Sequence, residues 1–394
     1  MTPADLLHYA QASVVSLSTG DAAAQLAEAN TAYGLAKIMA AQVSLGAEPR
    51  ACFIAGPDAT ITRHSPRWLA GFGYGGKLFW DFGQPAVVLD VKPNVCGMLV
   101  GGLERQPDAA AVSEAVQALL SQPAHLDGVA VKWDFASGNH FIDVFAARSM
   151  VPDAEVPPWV FIVHSSCPEL RPPSALGPGL YYDVSPELAA AAEVFDTPWG
   201  PIHVLFGSLA SEYMNFHTKA TAFAAAKRAL AAERLFGEYV TLFDGFHQGL
   251  LSGYEMLLGC HDSLQPDRLP LTLRPDLPAY LVRGLPNVRA DLLAPGTLSE
   301  DAPAYARDCA TRANIVPHGA GYALDGFRRL KRHWAVGTVR FFEMERDSGT
   351  SHDIITDPTA LPMRYRGRQV LLRALEFGLA QPIARLEPVL VVKA

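Results

Sequence analysis

Four histidines and one cysteine in this chain lie where side chains from distant segments could meet. They are Cys96, His140, His164, His261 and His318. Most lie beside a glycine, and all lie near the predicted ends of helices or strands, positions that allow convergence on one cleft. Imidazole nitrogens together with one thiolate suit a borderline metal such as Mn²⁺, Zn²⁺ or Fe²⁺. The residue types predict a metal centre without choosing the metal, although each residue taken singly also has an ordinary structural explanation.

Other catalytic patterns are weak or absent. The glycine-dense run Gly71–Gly76 precedes Lys77, but it lacks both the Walker spacing and a Ser or Thr after the lysine. No Gly-x-Ser-x-Gly elbow accompanies the turn at His318–Gly321, and no His-Glu-x-x-His helix is present. A thiol–histidine pair of Cys167 and His164 stays open as an alternative, without the surroundings of a known thiol-enzyme family.

Composition places the chain among globular proteins. Of its 394 residues 49% are hydrophobic and 18% charged, which excludes a disordered tail. Five scattered cysteines without a Cys-x-x-Cys pair argue against a disulfide framework and predict a reducing, cytoplasmic location. No basic secretory leader is present and no apolar run reaches the roughly 18 residues of a membrane span, so we expect no membrane association.

The net charge of −8 counts against a sequence-independent nucleic-acid binder, which needs positive charge to neutralise phosphates. One basic stretch, Arg328–His333, departs from this average. The pattern there favours the solvated face of a helix over a phosphate-binding surface.

Strand-like and helix-like runs are mixed without regular alternation, which predicts a single large α+β domain rather than a doubly wound parallel sheet. The predicted strands are Ala86–Val91, Phe141–Ala146, Trp159–His164, Tyr280–Arg283, Gly337–Glu343 and Val389–Lys393. The predicted helices are Ala22–Ala41, Ala109–Ser121, Thr218–Phe236 and Gln369–Leu379.

The order of the motifs resembles the RtcB-type RNA ligases. The resemblance runs from about residue 66 to the C-terminus, with residues 1–65 expected to be a helical segment that packs on the core. Its motifs are Cys96–Met98, Gly138–Asp143 (Gly-Asn-His-Phe-Ile-Asp), His164–Ser166, Cys260–Asp262, Ala294–Thr297, His318–Gly321 (His-Gly-Ala-Gly) and Val391–Ala394. It implies an RtcB-like fold over residues 66–394, with a metal site in a central cleft.

The resemblance also implies roles for individual residues. His318 would be the nucleophile that attacks the α-phosphorus of GTP and carries GMP. The implied metal ligands, for a pair of Mn²⁺ ions, are Cys96, His140, His164, His261 and Asn94. The implied nucleotide contacts are Asn139, Gly319, Ala320, Gly321, Pro295, Gly296 and Lys393.

The activity implied is GTP- and manganese-dependent ligation of RNA. A 3′-phosphate or 2′,3′-cyclic phosphate end would be joined to a 5′-hydroxyl end by a monomer or weak oligomer. Two alternatives remain: a metal-dependent phosphoesterase or nucleotidyltransferase acting on a smaller substrate, and a protein that binds metal or nucleotide without turnover.

This chain departs from the family pattern inside the site. Asn94 takes the place of an aspartate ligand, which removes a negative charge and should weaken one metal position. Asp90 is the nearest carboxylate that a shifted loop could supply instead. Tyr322 takes the place of an arginine, and Lys227-Arg228 replaces an asparagine–arginine pair. Asp325-Gly326 stands where the family has a Ser-Arg pair, and Arg283–Pro286 stands where it has a basic Arg-Lys-Gly-Ala segment. Most of the losses therefore leave fewer cations for triphosphate and RNA.

Overall fold

The computed structural model describes residues 1–135, 138–152, 154–265, 267–286, 288, 293 and 297–392. The helices in these ranges are α1 (Pro3–Ala12), α2 (Ala22–Ser44), α3 (Ser65–Ala70), α4 (Ala109–Ser121), α5 (Pro186–Ala191), α6 (Gly207–Phe236), α7 (Ala304–Thr311) and α8 (Gln369–Glu376). None of the described helices is both long and apolar enough to cross a bilayer. Helix α2 begins where the Asp21 side chain accepts the backbone N–H of Ala24, which satisfies one of its unpaired amide groups.

The strands in the first half of the chain are short to medium in length. They are β1 (Val14–Ser16), β2 (Ala51–Thr60), β3 (Tyr74–Trp80), β4 (Ala86–Val88), β5 (Cys96–Leu103), β6 (His125–Leu126), β7 (Val129–Ala130), β8 (Phe141–Ser149), β9 (Trp159–Ser165), β10 (Glu193–Phe195) and β11 (Ile202–Phe206).

The strands in the second half include the two longest. They are β12 (Val240–Ser252), β13 (Glu255–Leu258), β14 (Cys260–Asp262), β15 (Leu269–Leu271), β16 (Ala279–Gly284), β17 (Ile315–Pro317), β18 (Tyr322–Leu324), β19 (Phe327–Val336), β20 (Val339–Arg346), β21 (His352–Ile355), β22 (Met363–Tyr365) and β23 (Ala380–Val392).

Eleven of the described strands form one large mixed sheet. Their order is β1-β2-β3-β13-β12-β5-β9-β8-β23-β16-β15. Only the β1–β2 pair among them is parallel, and every other neighbouring pair is antiparallel. The remaining described strands form small two- and three-stranded sheets around it. The expected α+β class and single domain are confirmed.

The centre of the large sheet is covered on both faces. Along β9, Val160 and Ile162 belong to one apolar cluster, whereas Phe161 and Val163 belong to another that includes residues of α4 and α6. A strand buried on both faces reads as a continuous apolar run instead of an alternating one. The sheet therefore gives strands β5 and β9 a rigid frame on which to present side chains at their ends.

The N-terminal segment supplies strands as well as helices. Residues 1–65 contain β1 and β2, which join the large sheet beside β3, together with α1 and the buried helix α2. The domain boundary expected at residue 65 stays a prediction. The expectation of a purely helical segment misses β2, whose run Ala51–Thr60 is buried throughout.

The basic stretch Arg328–His333 is a strand, not a helix face. It lies in β19, which pairs with β20 in a three-stranded sheet. Cross-strand carboxylates lie opposite its cations: Glu345 contacts Arg329 at 2.8 Å, and Glu343 contacts Lys331 at 3.3 Å. These pairs satisfy the sheet rule that opposite charges face each other, so a stretch with helical composition is stable as a strand.

Candidate metal centre and active site

Three neighbouring strands of the large sheet place a cysteine and two histidines at one end of the sheet. Cys96 is the first residue of β5. His164 lies near the end of β9, opposite Met98 of β5, and Phe141 of β8 lies opposite His164 in turn. His140 comes immediately before β8. Antiparallel pairing thus brings together three of the predicted ligands, Cys96, His140 and His164.

A fourth donor, His247, comes from a bulge in β12. Phe246 pairs with Gly97 and Gln248 pairs with Cys96, so His247 is an extra residue in the ladder between β12 and β5. A bulge of this kind redirects a side chain and is common beside active sites. His247 was not among the ligands predicted from the sequence. A signal for it existed in the glycines at 245 and 249, which indicate an irregular strand.

Cys96, His164 and His247 form a group that could hold a metal ion. The Cys96 Sγ lies 3.2 Å from the His164 Nε2, and the His164 Nε2 lies 3.2 Å from the His247 Nε2. All three donor atoms lie within 4.8 Å of one another, and all three residues are buried. The usual zinc–ligand lengths give edges of about 3.3 Å for N···N and about 3.5 Å for N···S in a tetrahedral site. The spacing fits a cation between them.

The chemistry of the donors also fits a cation. The His164 Nδ1–H donates to the Asn139 carbonyl oxygen at 3.1 Å, which leaves Nε2 with its lone pair facing the group. Burial holds the pKa values of both His164 and His247 well below their ordinary range. Both rings are therefore neutral, which is the form that binds metals.

His140 is held differently. Its Nε2 lies 3.4 Å from the Cys96 sulfur, and its Nδ1 lies 2.9 Å from the Asp134 carboxylate. Asp134 also accepts the backbone and hydroxyl hydrogens of Ser166 and lies 3.4 Å from the buried Lys227 ammonium. Burial works to lower the pKa of His140, but interactions with Cys96 and Asp134 outweigh it and raise that pKa to about 10.

His318, the predicted nucleophile, is oriented by a fully buried carboxylate. The Asp58 Oδ2 accepts from the His318 Nδ1 at 2.9 Å, from its backbone N–H at 3.1 Å and from the Gly319 N–H at 3.4 Å. Because Nδ1 carries the hydrogen, Nε2 is left with the lone pair. Asp58 lies in β2, within the N-terminal segment that was predicted only to pack on the core, so the sequence did not predict its role.

Gly321 allows the turn at His318 to approach Asp58 closely. Gly321 has φ +62, and a Cβ at this position would lie 2.4 Å from the Asp58 carbonyl oxygen. A side chain there would meet that backbone oxygen and, at 2.6 Å, the Nη1 atom of the Arg366 guanidinium. The His-Gly-Ala-Gly turn is therefore packed directly against β2.

His318 lies next to the group formed by Cys96, His164 and His247. Its ring stacks on that of His247, with ring centroids 4.3 Å apart and planes inclined by 30°. The His164 ring centroid lies 6.5 Å away. A group bound to His318 would therefore lie beside a cation held at Cys96, His164 and His247.

One cavity of about 360 Å³ connects these residues. The predicted site residues that line it are Asn94, Cys96, Asn139, His140, His164, His318, Gly319, Ala320 and Gly321. Three other predicted nucleotide contacts, Pro295, Gly296 and Lys393, lie outside the described residues.

Two predicted ligands have other contacts. The His261 Nε2–H donates to the Pro270 carbonyl oxygen at 2.9 Å, and His261 is not part of the described Cys96 group. The amide oxygen of Asn94 accepts the Cys96 backbone N–H at 3.0 Å. Asp90 does not replace it, because that carboxylate accepts from the Tyr182 hydroxyl and from His203.

The cavity has few cations. Among its described lining residues the guanidinium groups are those of Arg63 and Arg274. Arg274 is paired with Asp276 at 2.6 Å, and Arg63 lies over the ring of Tyr322, 4.9 Å from its centroid. Tyr322 in turn stacks on Tyr365. This wall is aromatic where a triphosphate-binding site would usually be basic.

A scan against protein-family models and a search of curated proteins both find no match to this chain.

Proposed function

We propose that this chain is a metal-dependent nucleotidyltransferase that carries GMP on His318. In the fuller form of the proposal it is an RtcB-like ligase, which passes GMP to an RNA 3′-phosphate before a 5′-hydroxyl displaces it. The observation that carries the proposal is the Asp58–His318 pair, stacked on a ring of the Cys96–His164–His247 group in one cavity.

The chemistry follows from the tautomer of His318. The Nε2 lone pair attacks the α-phosphorus of GTP, a nitrogen–phosphorus bond forms, and the bond to the leaving pyrophosphate breaks. The ring becomes positively charged, and the Asp58 carboxylate at Nδ1 stabilises that charge. A divalent cation bound beside the ring would offset the charge of the phosphates. In ligation, an oxygen of the RNA 3′-phosphate then takes the GMP and returns His318 to its neutral form.

A second candidate is transfer to a small acceptor on the same site. It is favoured by the scarcity of free cations among the described residues that line the cavity, where Arg274 is paired and Tyr322 and Tyr365 form an aromatic wall. An RNA strand needs phosphate contacts along its length, whereas a small acceptor needs only the cavity.

The test is incubation of the full chain with Mn²⁺ and α-labelled GTP, followed by a denaturing gel. We expect an acid-labile label on the wild type and none on His318→Ala. His8→Ala, which removes an exposed histidine of α1, is the matched control and should be labelled as the wild type is. Equal labelling of His318→Ala would reject the proposal.

The acceptor is tested separately with RNA bearing a 2′,3′-cyclic phosphate end and RNA bearing a 5′-hydroxyl end. Joined product would support ligation. A protein that is labelled but joins no RNA would favour the small acceptor.

A further inference from the structure

The possible metal ligands around Cys96 form one set with three donor atoms and a second set with only two. On one side, Cys96, His164 and His247 supply three donor atoms within 4.8 Å. On the other side, His140 approaches the same sulfur at 3.4 Å. Among the described residues, no group of three includes His140. A second cation there would have two protein ligands, of which one is shared.

The carboxylates nearby already have partners. Asp134 receives the His140 Nδ1–H and both hydrogens of Ser166, and it faces the Lys227 ammonium. Asp58 receives three hydrogen bonds from the turn at His318 and Gly319. The Oδ2 atom of each carboxylate thus holds a histidine ring in place. The buried Oδ1 of Asp58 has no hydrogen-bond partner among the described residues, but neither carboxylate belongs to the described group of possible metal ligands.

The loop before Cys96 is fixed in a shape that does not offer a ligand. The Asn94 amide oxygen accepts the Cys96 N–H, and the flanking residues Lys92 and Val95 both have left-handed backbones, with φ of 51 and 50. Such a conformation is unfavourable for a β-branched residue such as Val95 and persists only where the surroundings impose it. The buried Arg67 guanidinium does so by donating to the Val91 and Lys92 carbonyl oxygens.

The balance of charge in the site also favours a single cation. The Cys96 thiolate is the single anionic donor of the described group, and its surroundings are almost entirely buried. One divalent cation beside one thiolate leaves a small excess of positive charge. A second divalent cation would leave a large excess of positive charge in a buried site, where charge is poorly solvated.

We propose that the chain binds one divalent cation, not two, through Cys96, His164 and His247, with a remaining coordination position open to the cavity. One thiolate and two imidazoles with an open position match the catalytic sites of borderline cations such as Zn²⁺ and Co²⁺ better than the oxygen-rich sites that Mn²⁺ prefers. His140 then serves to position the Cys96 sulfur, and the second manganese site implied by the family resemblance is lost. This inference does not depend on GMP transfer to His318.

The test is a Co²⁺ titration of metal-free, reduced, full-length protein, followed by calorimetry and by the thiolate-to-cobalt charge-transfer absorption. We expect saturation at one equivalent per chain, with that absorption present. Saturation at two equivalents would overturn the proposal. So would one equivalent without the thiolate absorption, because Cys96 would then not be a ligand.

Two matched histidine variants separate ligand from positioning residue. His247→Ala should weaken Co²⁺ binding by at least 100-fold, while His140→Ala should keep one equivalent and lose less than tenfold in affinity. His247→Gln, which keeps a polar side chain in the bulge, replaces His247→Ala if circular dichroism shows that the latter is unfolded. Reversal of the two effects would overturn the assignment. Because none of these measurements uses GTP, failure of GMP labelling would leave their outcome unaffected.

Discussion

Asp58 and His318 lie 260 positions apart in the chain, yet one carboxylate oxygen of Asp58 contacts both the ring and the backbone of His318. The contact joins strand β2 to the turn after β17. It fixes both which ring nitrogen carries the hydrogen and where the ring lies. A histidine held in this way at two points is preorganised for attack through its other nitrogen.

Replacement of that carboxylate should slow nucleotidyl transfer without removing the metal. Asp58→Asn keeps the size of the side chain but removes the charge that stabilises a positive ring. We expect the rate of GMP labelling to fall at least tenfold. The rate is measured by single-turnover labelling, with metal content checked in parallel. Asp308→Asn, on an exposed face of α7, is the control, and an unchanged rate in Asp58→Asn would remove Asp58 from the mechanism.

The glycine beside Asp58 allows a matched stability test. Gly321→Ala would place a Cβ 2.4 Å from the Asp58 carbonyl oxygen, whereas at Gly337 nothing lies within 4 Å of the added atom. Both glycines have left-handed backbones, with φ of +62 and +57. Gly337→Ala should therefore cost only the backbone strain, about 1 kcal/mol, and Gly321→Ala about 2–3 kcal/mol more. Urea unfolding measures both, and equal losses would contradict the packing described.

The loop at Asn94 predicts a gain of function in metal binding. Asn94→Asp introduces a carboxylate two residues before Cys96, in the cavity that His140 also lines. We expect binding of a second cation in this variant, because a third donor and a negative charge are then present. The measurement is metal content by mass spectrometry after dialysis, and the electron paramagnetic resonance spectrum of Mn²⁺ shows whether the two ions are coupled. A content of one ion per chain would mean that the Asn94 side chain does not reach this position.

Buried histidines should make the metal-free protein sensitive to acid. Burial lowers the pKa of His217 to about 4 and that of His261 to about 3, and it lowers those of His164 and His247 as well. A ring with a lowered pKa stays neutral in the folded state while it gains a proton in the unfolded state. The contribution of each ring to the free energy of unfolding is therefore fully present above pH 6.5, and it is lost as the pH falls toward the folded-state pKa.

For His217 alone, the lowered pKa reduces the free energy of unfolding by about 2 kcal/mol at pH 5. Urea unfolding at pH 7.5 and pH 5 measures the loss, and His217→Leu should show a smaller one. His140 acts in the opposite sense, since its raised pKa stabilises the fold below pH 6.5 and that contribution is lost toward pH 10. A wild type that is equally stable at both pH values would contradict the neutral, buried state of the four rings.

The sequence predicted those site residues whose neighbours form local patterns. Cys96, His140, His164 and His318 follow or end recognisable strands and turns, so their convergence could be inferred. His247 could not be found by periodicity, because a bulge places it outside the alternation of β12. Asp58 acts through a contact with a residue far along the chain, and no local pattern predicts such a pair.

Two wrong predictions of secondary structure, at Arg328–His333 and at β2, have the same physical cause. Arg328–His333 has the charge density of a solvated helix, but its carboxylate partners lie on the neighbouring strand β20 and favour a sheet. Similarly, β2 is buried on every side by α2, α7, α8 and its sheet neighbours, which a local window does not include. In both places tertiary contacts outweigh the local preference.

Strand β23 lies between β8 and β16, although both of those strands precede it in the chain. During synthesis on the ribosome, β8 therefore leaves the exit tunnel long before its second neighbour exists. Its free edge stays open while more than half of the chain is still being made, and open edges are where nascent chains pair wrongly. The centre of the large sheet therefore cannot be completed until β23, the last strand of the chain, has been synthesised.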